Sequence, residues 1–286
     1  MSALTHSTTS LSRAADPSGI KVRGASKTFN RKGKTVHALS EVELEIEAGQ
    51  FVSLIGPSGC GKSTLLKMIA GLLEPSSGTV EVDGAVVTEP LPQIGVAFQK
   101  PTLLRWRNVL ENVCLPLDIE KNRDAEGESR ALDLLAMMGL AGFEKHYPGE
   151  LSGGMEQRVA IARSLINQPS LLLMDEPFGA LDEFTREDLN DELLRVWQHE
   201  PKTVVFVTHS ISEAVFLSDR VVVMSARPGR IHGIVPIELS RPRERALRNT
   251  AEFYEAIRHV RSVLDEAKGN GAAARGKGPS DGEARP

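Results

Sequence analysis

The sequence predicts an α/β fold built around a phosphate-binding core, and three observations carry the prediction. The stretch Gly56-Pro57-Ser58-Gly59-Cys60-Gly61-Lys62-Ser63-Thr64 fits the pattern G-x-x-x-x-G-K-[ST] at every fixed position. The short apolar run Phe51–Ile55 precedes it as a buried parallel strand should, and Leu65–Leu73 follows as a helix with one packed face. Further apolar runs, Ile94–Phe98, Leu171–Met174 and Thr203–Thr208, lead into polar residues, as strands do where a ligand sits beyond the carboxyl edge of an open sheet.

The residue types in the loop have a physical reason. Glycines 56, 59 and 61 let the backbone wrap closely around a polyphosphate and turn its N–H groups inward. The helix that follows contributes about half a positive charge at its N-terminus. Lys62 supplies a full charge to the β- and γ-phosphates, and Ser63 offers a hydroxyl to Mg²⁺.

The bulk properties are those of an ordinary soluble globular protein. The chain has 286 residues, 41% apolar and 25% charged, enough for one large or two modest domains. A net charge of -4 disfavours a general nucleic-acid binder. No run approaches the ~18 apolar residues that cross a bilayer, so a membrane role is expected to come through a partner chain. Residues 1–18 are rich in Ser and Thr, lack an apolar core, and are expected to form a disordered tail. There are two cysteines, and Cys60 lies inside the phosphate loop, so both are expected as reduced thiols.

Taken in order, Ile20–Asn30 reads as a strand running into the basic turn Arg31-Lys32-Gly33-Lys34. Val42, Leu44 and Ile46 alternate with glutamates, a strand with one wet face. Gly78–Gly84 is a strand and turn, so antiparallel-type strands flank the loop helix. Ile94–Phe98 ends at Gln99, and Lys100-Pro101 then breaks the chain. Leu103–Gly142 reads as several helices, a helical subdomain inserted between two strands. Leu151-Ser152-Gly153-Gly154 opens a helix to about Asn167. Thr185 with Asp188 resembles the N-terminal cap of a helix to about Gln198, and Ser210 with Glu213 a capping box for the next. Arg220–Ser225 and Ile231–Leu239 read as strands and Ala246–Ala267 as a helix, with a disordered tail from Lys268.

The strand ends carry the chemistry. Leu171–Asp175 has the form of a Walker B strand, in which Asp175 would hold Mg²⁺ through its water shell. Glu176 comes next and is free to polarise a water for attack on the γ-phosphate; the alternative is an acidic turn before Pro177. Gln99 could ligate Mg²⁺ or order that water, or be a polar strand end. His209 could hydrogen-bond the γ-phosphate or satisfy its loop. The other histidines have no such context and are expected to be solvated. Leu151–Arg158 offers a second anion-binding helix start, or an ordinary Ser-Gly cap. One loop already cradles a triphosphate, so a second site is redundant unless it serves a neighbour.

Together these residues resemble the ATP-binding subunit of an ABC transporter. Gly56–Thr64 is similar to Walker A, Gln99 to the Q-loop, Leu151–Gln157 to the signature, Leu171–Glu176 to Walker B, Ala180-Leu181-Asp182 to the D-loop and His209 to the H-loop. Phe29 falls where the family has an adenine-stacking aromatic, commonly Tyr, and the signature carries Met155-Glu156 where many members have Gln, or Met and a basic residue. The likeness covers about residues 20–233. Thr208–Ala214 and Asp175–Asp182 resemble the importer branch, and Ala226–Ile231 the nitrate, sulfonate, taurine and bicarbonate group.

The resemblance implies a P-loop NTPase core, a mixed central sheet with flanking helices, joined to an antiparallel β subdomain and a helical subdomain inserted after Gln99. The expected divisions are a tail at 1–18, an ATPase domain at 19–239 with its helical subdomain at about 100–165, a helical extension at 240–267 and a tail at 268–286. ATP and Mg²⁺ are the implied cofactors, with Ser63, Gln99 and Asp175 around the metal, and Lys62, Gln99, Glu176 and His209 as the catalytic set. The implied assembly is a head-to-tail homodimer in which ATP bound to Walker A of one chain meets Ser152, Gly153 and Gly154 of the other, near Asp182. A separate membrane permease, a solute-binding protein beyond it, and a place on the cytoplasmic face of the inner membrane follow from the same likeness. Leu103, Leu104 and Trp106 are candidate permease contacts, or core packing. A non-transport ATPase acting on ribosomes or DNA is the rival reading; the tandem domains or coiled-coil insertion of such relatives are missing. A P-loop kinase or GTPase would leave Leu151–Gln157 and His209 unexplained.

Overall fold

Strand β1 (Ile20–Arg31) turns at Gly33, where φ is +75°, into β2 (Lys34–Ile46), and the two pair antiparallel with Ile20 opposite Ile46 and Phe29 opposite Val36. The glutamate alternation of β2 resolves as expected: Val42, Leu44 and Ile46 are buried while the residues between them face solvent. The computed structural model describes residues 19–31, 33–179, 181–199 and 202–275. The expected N-terminal tail at 1–18, Ala180 of the D-loop and residues 276–286 lie outside the described residues.

Strand β3 (Phe51–Ile55) is buried at all five positions and delivers the chain to the glycine-rich loop, whose last residues begin α1 (Lys62–Ile69). Strands β4 (Ser77–Val82) and β5 (Ala85–Val86) return to the hairpin and complete a four-stranded antiparallel sheet in the order β2-β1-β4-β5. After β6 (Ile94–Ala97) come the helices of the insertion: α2 (Val109–Val113), α3 (Leu115–Glu120), α4 (Ala125–Met137) and α5 (Gly153–Leu165). Asn108 caps α2 through a reciprocal bond with Glu111, which satisfies two of the amide groups a helix start leaves open.

Then follow β7 (Leu171–Asp175), α6 (Glu183–His199), β8 (Thr203–Val207), α7 (Ile211–Leu217), β9 (Arg220–Met224), β10 (Ile231–Pro236) and α8 (Ala251–Arg275). The second sheet runs β10-β9-β3-β8-β7-β6; β3, β6, β7, β8 and β9 are parallel, and β10 closes the edge antiparallel to β9.

Two cores form on opposite faces of this sheet because strand side chains alternate. Val52, Leu54, Val205 and Val207 meet Leu65, Leu66 and Ile69 of α1 and the antiparallel sheet, whereas Phe51, Ile55, Val204 and Phe206 meet α5, α6 and α7. The loop is therefore held from below by a fully buried strand and from one side by a fully buried helix face. Truncating one such side chain, for example Leu66→Ala, costs about 2–5 kcal/mol.

Three local readings are corrected. The cap of α6 is Asp182, not Thr185: the Thr185 N–H donates to Asp182 Oδ1 at 3.0 Å and its hydroxyl to Oδ2 at 2.7 Å. Those two donors hold the Asp182 carboxyl below the ordinary range, the backbone N–H first. Ser210 does cap α7, accepting from the Glu213 N–H at 3.3 Å, but the Glu213 carboxylate does not reach back. It is buried instead and accepts from the Thr208 hydroxyl. Helix α8 runs to Arg275 rather than stopping at Ala267, so the expected tail from Lys268 begins in helix. Ala272-Ala273-Ala274 favour helix strongly enough to outweigh the nearby glycines.

The segment before α8 clamps the sheet. Arg243, 5% exposed, donates to the carbonyls of Val215, Phe216 and Ser218, which the end of α7 leaves open. Burial pushes its pKa down to about 10. Arg241 bonds Asp219 and lies over Trp197 at 4.2 Å. Among the described residues no helix is long and apolar enough to cross a membrane.

Candidate nucleotide-binding site

A cleft of about 390 Å³ opens above the loop, lined by Ser58, Gly59, Gly61, Lys62, Ser63 and Thr64 from below. Phe29, Val36 and Ala38 of the β1–β2 hairpin form one wall, and Gln99, Glu176 and His209 face them from the strand ends. Four segments that are far apart in sequence thus converge because β3, β6, β7 and β8 are parallel and end at the same edge.

The loop is shaped by close backbone approaches. At Gly56 (φ +157°) a Cβ would sit 2.7 Å from the Met224 carbonyl, and at Gly61 (φ +99°) 2.5 Å from Leu39. Any larger residue would push the loop off β9 or β2. Lys62 is 4% exposed and its ammonium donates to the Gly56 carbonyl at 2.9 Å and the Pro57 carbonyl at 3.2 Å. The cation is therefore held at the mouth of the loop by neutral acceptors, with no carboxylate among the described residues bonded to it. Cys60 and Cys114 are free and buried, and burial raises both thiols above their ordinary range.

Two carboxylates play distinct geometric parts. Asp175, at the end of β7, accepts from the Ser63 hydroxyl at 2.8 Å, which sets two hard oxygen ligands side by side at the base of the cleft. Mg²⁺ takes few protein ligands and completes its shell with phosphate and water, so this pair suits it without a cluster of acids. No cluster of three or more His, Cys, Asp or Glu suited to a metal occurs among the described residues.

Glu176 takes φ +48°, a region that side chains other than glycine enter at a cost of about 1–3 kcal/mol. Its carboxylate lies between two partners: Gln99 Nε2 donates to Oε2 at 3.2 Å and His209 Nε2 lies 2.5 Å from Oε1. Gln99 thus meets Glu176 rather than the Ser63–Asp175 pair. The position of His209 is set by its neighbours, since the Thr208 hydroxyl accepts from the Ser210 N–H at 3.0 Å and donates to buried Glu213.

The second glycine-rich segment is not part of this cleft. Ser152 caps α5, accepting from the Met155 N–H at 3.3 Å, and Ser152 and Gly153 are exposed. A Cβ on Gly153 would meet nothing within 4 Å, and one on Gly154 would touch Thr185 and Leu181. Asp182 is likewise absent from the cleft lining. Of the candidate permease contacts, Leu103 packs on the core, while Trp106 is 74% exposed. His146 and His232 are half-buried rather than solvated, and His232 lies 3.9 Å from Glu266.

The sequence reading gives no site role to three lining residues, Val36, Ala38 and Arg227. Val36 enters by pairing opposite Phe29 across the hairpin, a register visible once both strands are drawn. Arg227 enters from the β9–β10 turn and donates Nε to the Gly59 carbonyl at 2.8 Å, a tie that spans 168 positions and leaves no local signal.

Comparison with known proteins agrees with this geometry. The family model described as ABC transporter matches residues 39–179. Over 247 residues the chain is 50% identical to an uncharacterized ABC transporter ATP-binding protein, MJ0412, of Methanocaldococcus jannaschii, covering 86% of this chain and 91% of the relative. It is 46% identical over 240 residues to the aliphatic sulfonates import ATP-binding protein SsuB of Bacillus subtilis, covering 84% and 91%. The taurine import ATP-binding protein TauB of Rhizobium johnstonii is 44% identical over 261 residues, covering 89% and 100%. Among solved structures, the dimeric ATP-binding cassette MJ0796 in a post-hydrolysis state with ADP and Pi superposes with a TM-score of 0.69 at 37% identity, covering 77% of this chain and all of that one. With a phosphate loop, two separated carboxylates and a glutamine and histidine gathered at one sheet edge, and with these relatives matching over most of its length, the chain belongs to the ATP-binding subunits of the ABC transporter family.

Proposed function

We propose that this chain is the ATP-hydrolysing subunit of an importer, coupling hydrolysis to uptake of a small anionic solute of the sulfonate, taurine or nitrate type through a separate permease. The observation that carries the reading is the identity to SsuB and TauB along most of the chain, joined to the placement of Glu176 between Gln99 and His209. Residues 19–239 would form the ATPase domain, with the helical subdomain at about 100–165 and the extension at 240–267 buttressing it through Arg241 and Arg243.

In this reading the loop amides and Lys62 hold the phosphates, exchanging the Gly56 and Pro57 carbonyls for anionic oxygens. Phe29 offers its ring to the base. Ser63 and Asp175, with the oxygen of the Gln99 amide, would hold Mg²⁺, which supplies neutralisation of charge on the β- and γ-phosphates. Glu176 leaves its two partners to accept the proton of an attacking water, and His209 turns Nε2–H toward the γ-phosphate.

Ser152, Gly153 and Gly154 present an exposed helix start with no anion site in their own chain, which favours a head-to-tail homodimer closed by a shared nucleotide. Exposed Trp106 would meet the permease, and the chain would then lie on the cytoplasmic membrane face, with a solute-binding protein acting beyond it. The test is growth of a strain lacking this gene on taurine, an alkanesulfonate or nitrate as sole sulfur or nitrogen source. Loss of growth restored by the unaltered chain and not by Glu176→Gln is expected. Unimpaired growth on all three would reject the solute class.

A further inference from the structure

Besides Lys62, the cleft is lined by an arginine to which the sequence assigns no site role. Arg227 stands on the turn between β9 and β10, and this turn is fastened both to the nucleotide loop and to β2. Arg227 Nε donates to the Gly59 carbonyl at 2.8 Å. Gly229 donates its N–H to Ala38 at 2.9 Å and accepts from the Ser40 N–H at 3.0 Å. A Cβ on Gly229 would fall 1.8 Å from the Cys60 carbonyl, so the turn lies backbone against backbone on the loop. A Cβ on Gly59 would fall 2.6 Å from Arg227 Nη2, so the guanidinium lies directly against that glycine.

The guanidinium therefore lies against Gly59 in the lining of the cleft. Of its five N–H donors, one is used on the Gly59 carbonyl. No carboxylate pairs with it among the described residues, although the chain as a whole is acidic and most arginines of the C-terminal segment are paired. An exposed, unpaired arginine held in place at the mouth of a polyanion cleft has the fork geometry that binds phosphate oxygens.

We propose that Arg227 is a nucleotide-contacting residue: Nε fixes the Gly59 carbonyl, and the remaining guanidinium N–H groups bond the phosphate chain of the bound nucleotide. The proposal rests on the nucleotide reading of the cleft. It adds a second cation to Lys62, delivered by a turn that also grips β2, so that the phosphates bridge the loop and the β9–β10 turn.

The test is equilibrium binding of fluorescent ATP and ADP analogues to the purified full chain, for the unaltered protein, Arg227→Gln, Arg227→Lys and Lys62→Ala, with the melting temperature of each. Arg227→Gln is expected to weaken ATP about ten-fold at about 0.05 M salt, the scale of one hydrogen bond to a charged group. The deficit should shrink at about 0.5 M salt, where exposed charges are screened, and Arg227→Lys, which keeps the charge and loses the fork, should fall between Arg227→Gln and the unaltered chain. Equal affinity in Arg227→Gln and the unaltered chain overturns the contact. So does an equal, salt-independent loss in both Arg227 variants, which would mark a residue that only props the loop. If Lys62→Ala loses binding while Arg227→Gln does not, this proposal alone falls; if the unaltered chain binds neither analogue, the nucleotide reading falls with it.

Discussion

The chain carries two glycine-rich helix starts, and the structure treats them in opposite ways. At Gly56–Thr64 every wall is built: a buried strand below, a buried helix behind, β9 and β2 pressed on Gly56 and Gly61, and Phe29, Gln99, Glu176 and His209 around the mouth. At Ser152–Gly154 the helix start is open: its serine and first glycine face solvent, and none of the described residues stands over Gly153. Sequence chemistry alone makes the two look alike, since each aims unsatisfied N–H groups at an anion. The surroundings separate them. On the proposed reading the first is a cavity that lacks a lid and the second a lid that lacks a cavity, the division of labour a head-to-tail dimer would require.

The largest effect that probes this contrast is expected at Glu176→Gln, which keeps the shape of the cleft and removes the proposed base. Turnover should fall by about 10²–10⁴-fold while nucleotide affinity is retained, measured by phosphate release and by equilibrium binding. Hydrolysis at an undiminished rate would move the base elsewhere. Next is Ser152→Arg, which fills the open helix start. Affinity for ATP in the isolated chain should stay unchanged, yet hydrolysis should drop by about 10²-fold or more, as for loss of a preorganised donor. Retained hydrolysis would make Ser152 a helix cap and nothing else.

Lys62→Ala acts on the cavity side and should weaken ATP about ten- to a hundred-fold, one charge-assisted contact, in a titration with the same analogue. The smallest effect concerns pH. Burial raises the Glu213 carboxyl above its ordinary range, so the folded chain binds that proton more tightly than the unfolded chain does. Its contribution to stability is complete at acid pH and declines as pH rises from the ordinary carboxylate range through the raised value. Glu213→Gln lacks that decline, so its melting temperature should gain on the unaltered protein as pH rises above about 4.5. Parallel melting curves across that window would remove Glu213 from the support of His209.

Much of the built half was legible in the sequence because its signals are local. A strand, a glycine turn and Lys62-Ser63-Thr64 are contiguous, and the strand ends at Gln99, Asp175 and His209 follow short apolar runs. What escaped depends on long-range contact. Arg227 meets Gly59 only through the fold, and Val36 joins the cleft through its register with Phe29. The pairing of Glu176 with Gln99 and His209 could not be read from positions 99, 176 and 209, which give the edge but not the side-chain partners. Local ambiguity explains the rest. Asp182, Thr185 and Asp188 repeat at the same spacing, so a cap pattern fits twice, and only the hydrogen bonds choose Asp182. The glycines after Lys268 suggested an end that the following alanines postpone.

The contrast between cavity and lid is tested most directly by the size of the hydrolysis-deficient chain in solution. Light scattering on Glu176→Gln with ATP and Mg²⁺ should give twice the mass of one chain, reverting to a single chain without nucleotide or when Ser152→Arg is added. A single chain that holds ATP at full occupancy, with its mass unchanged, would contradict the shared site.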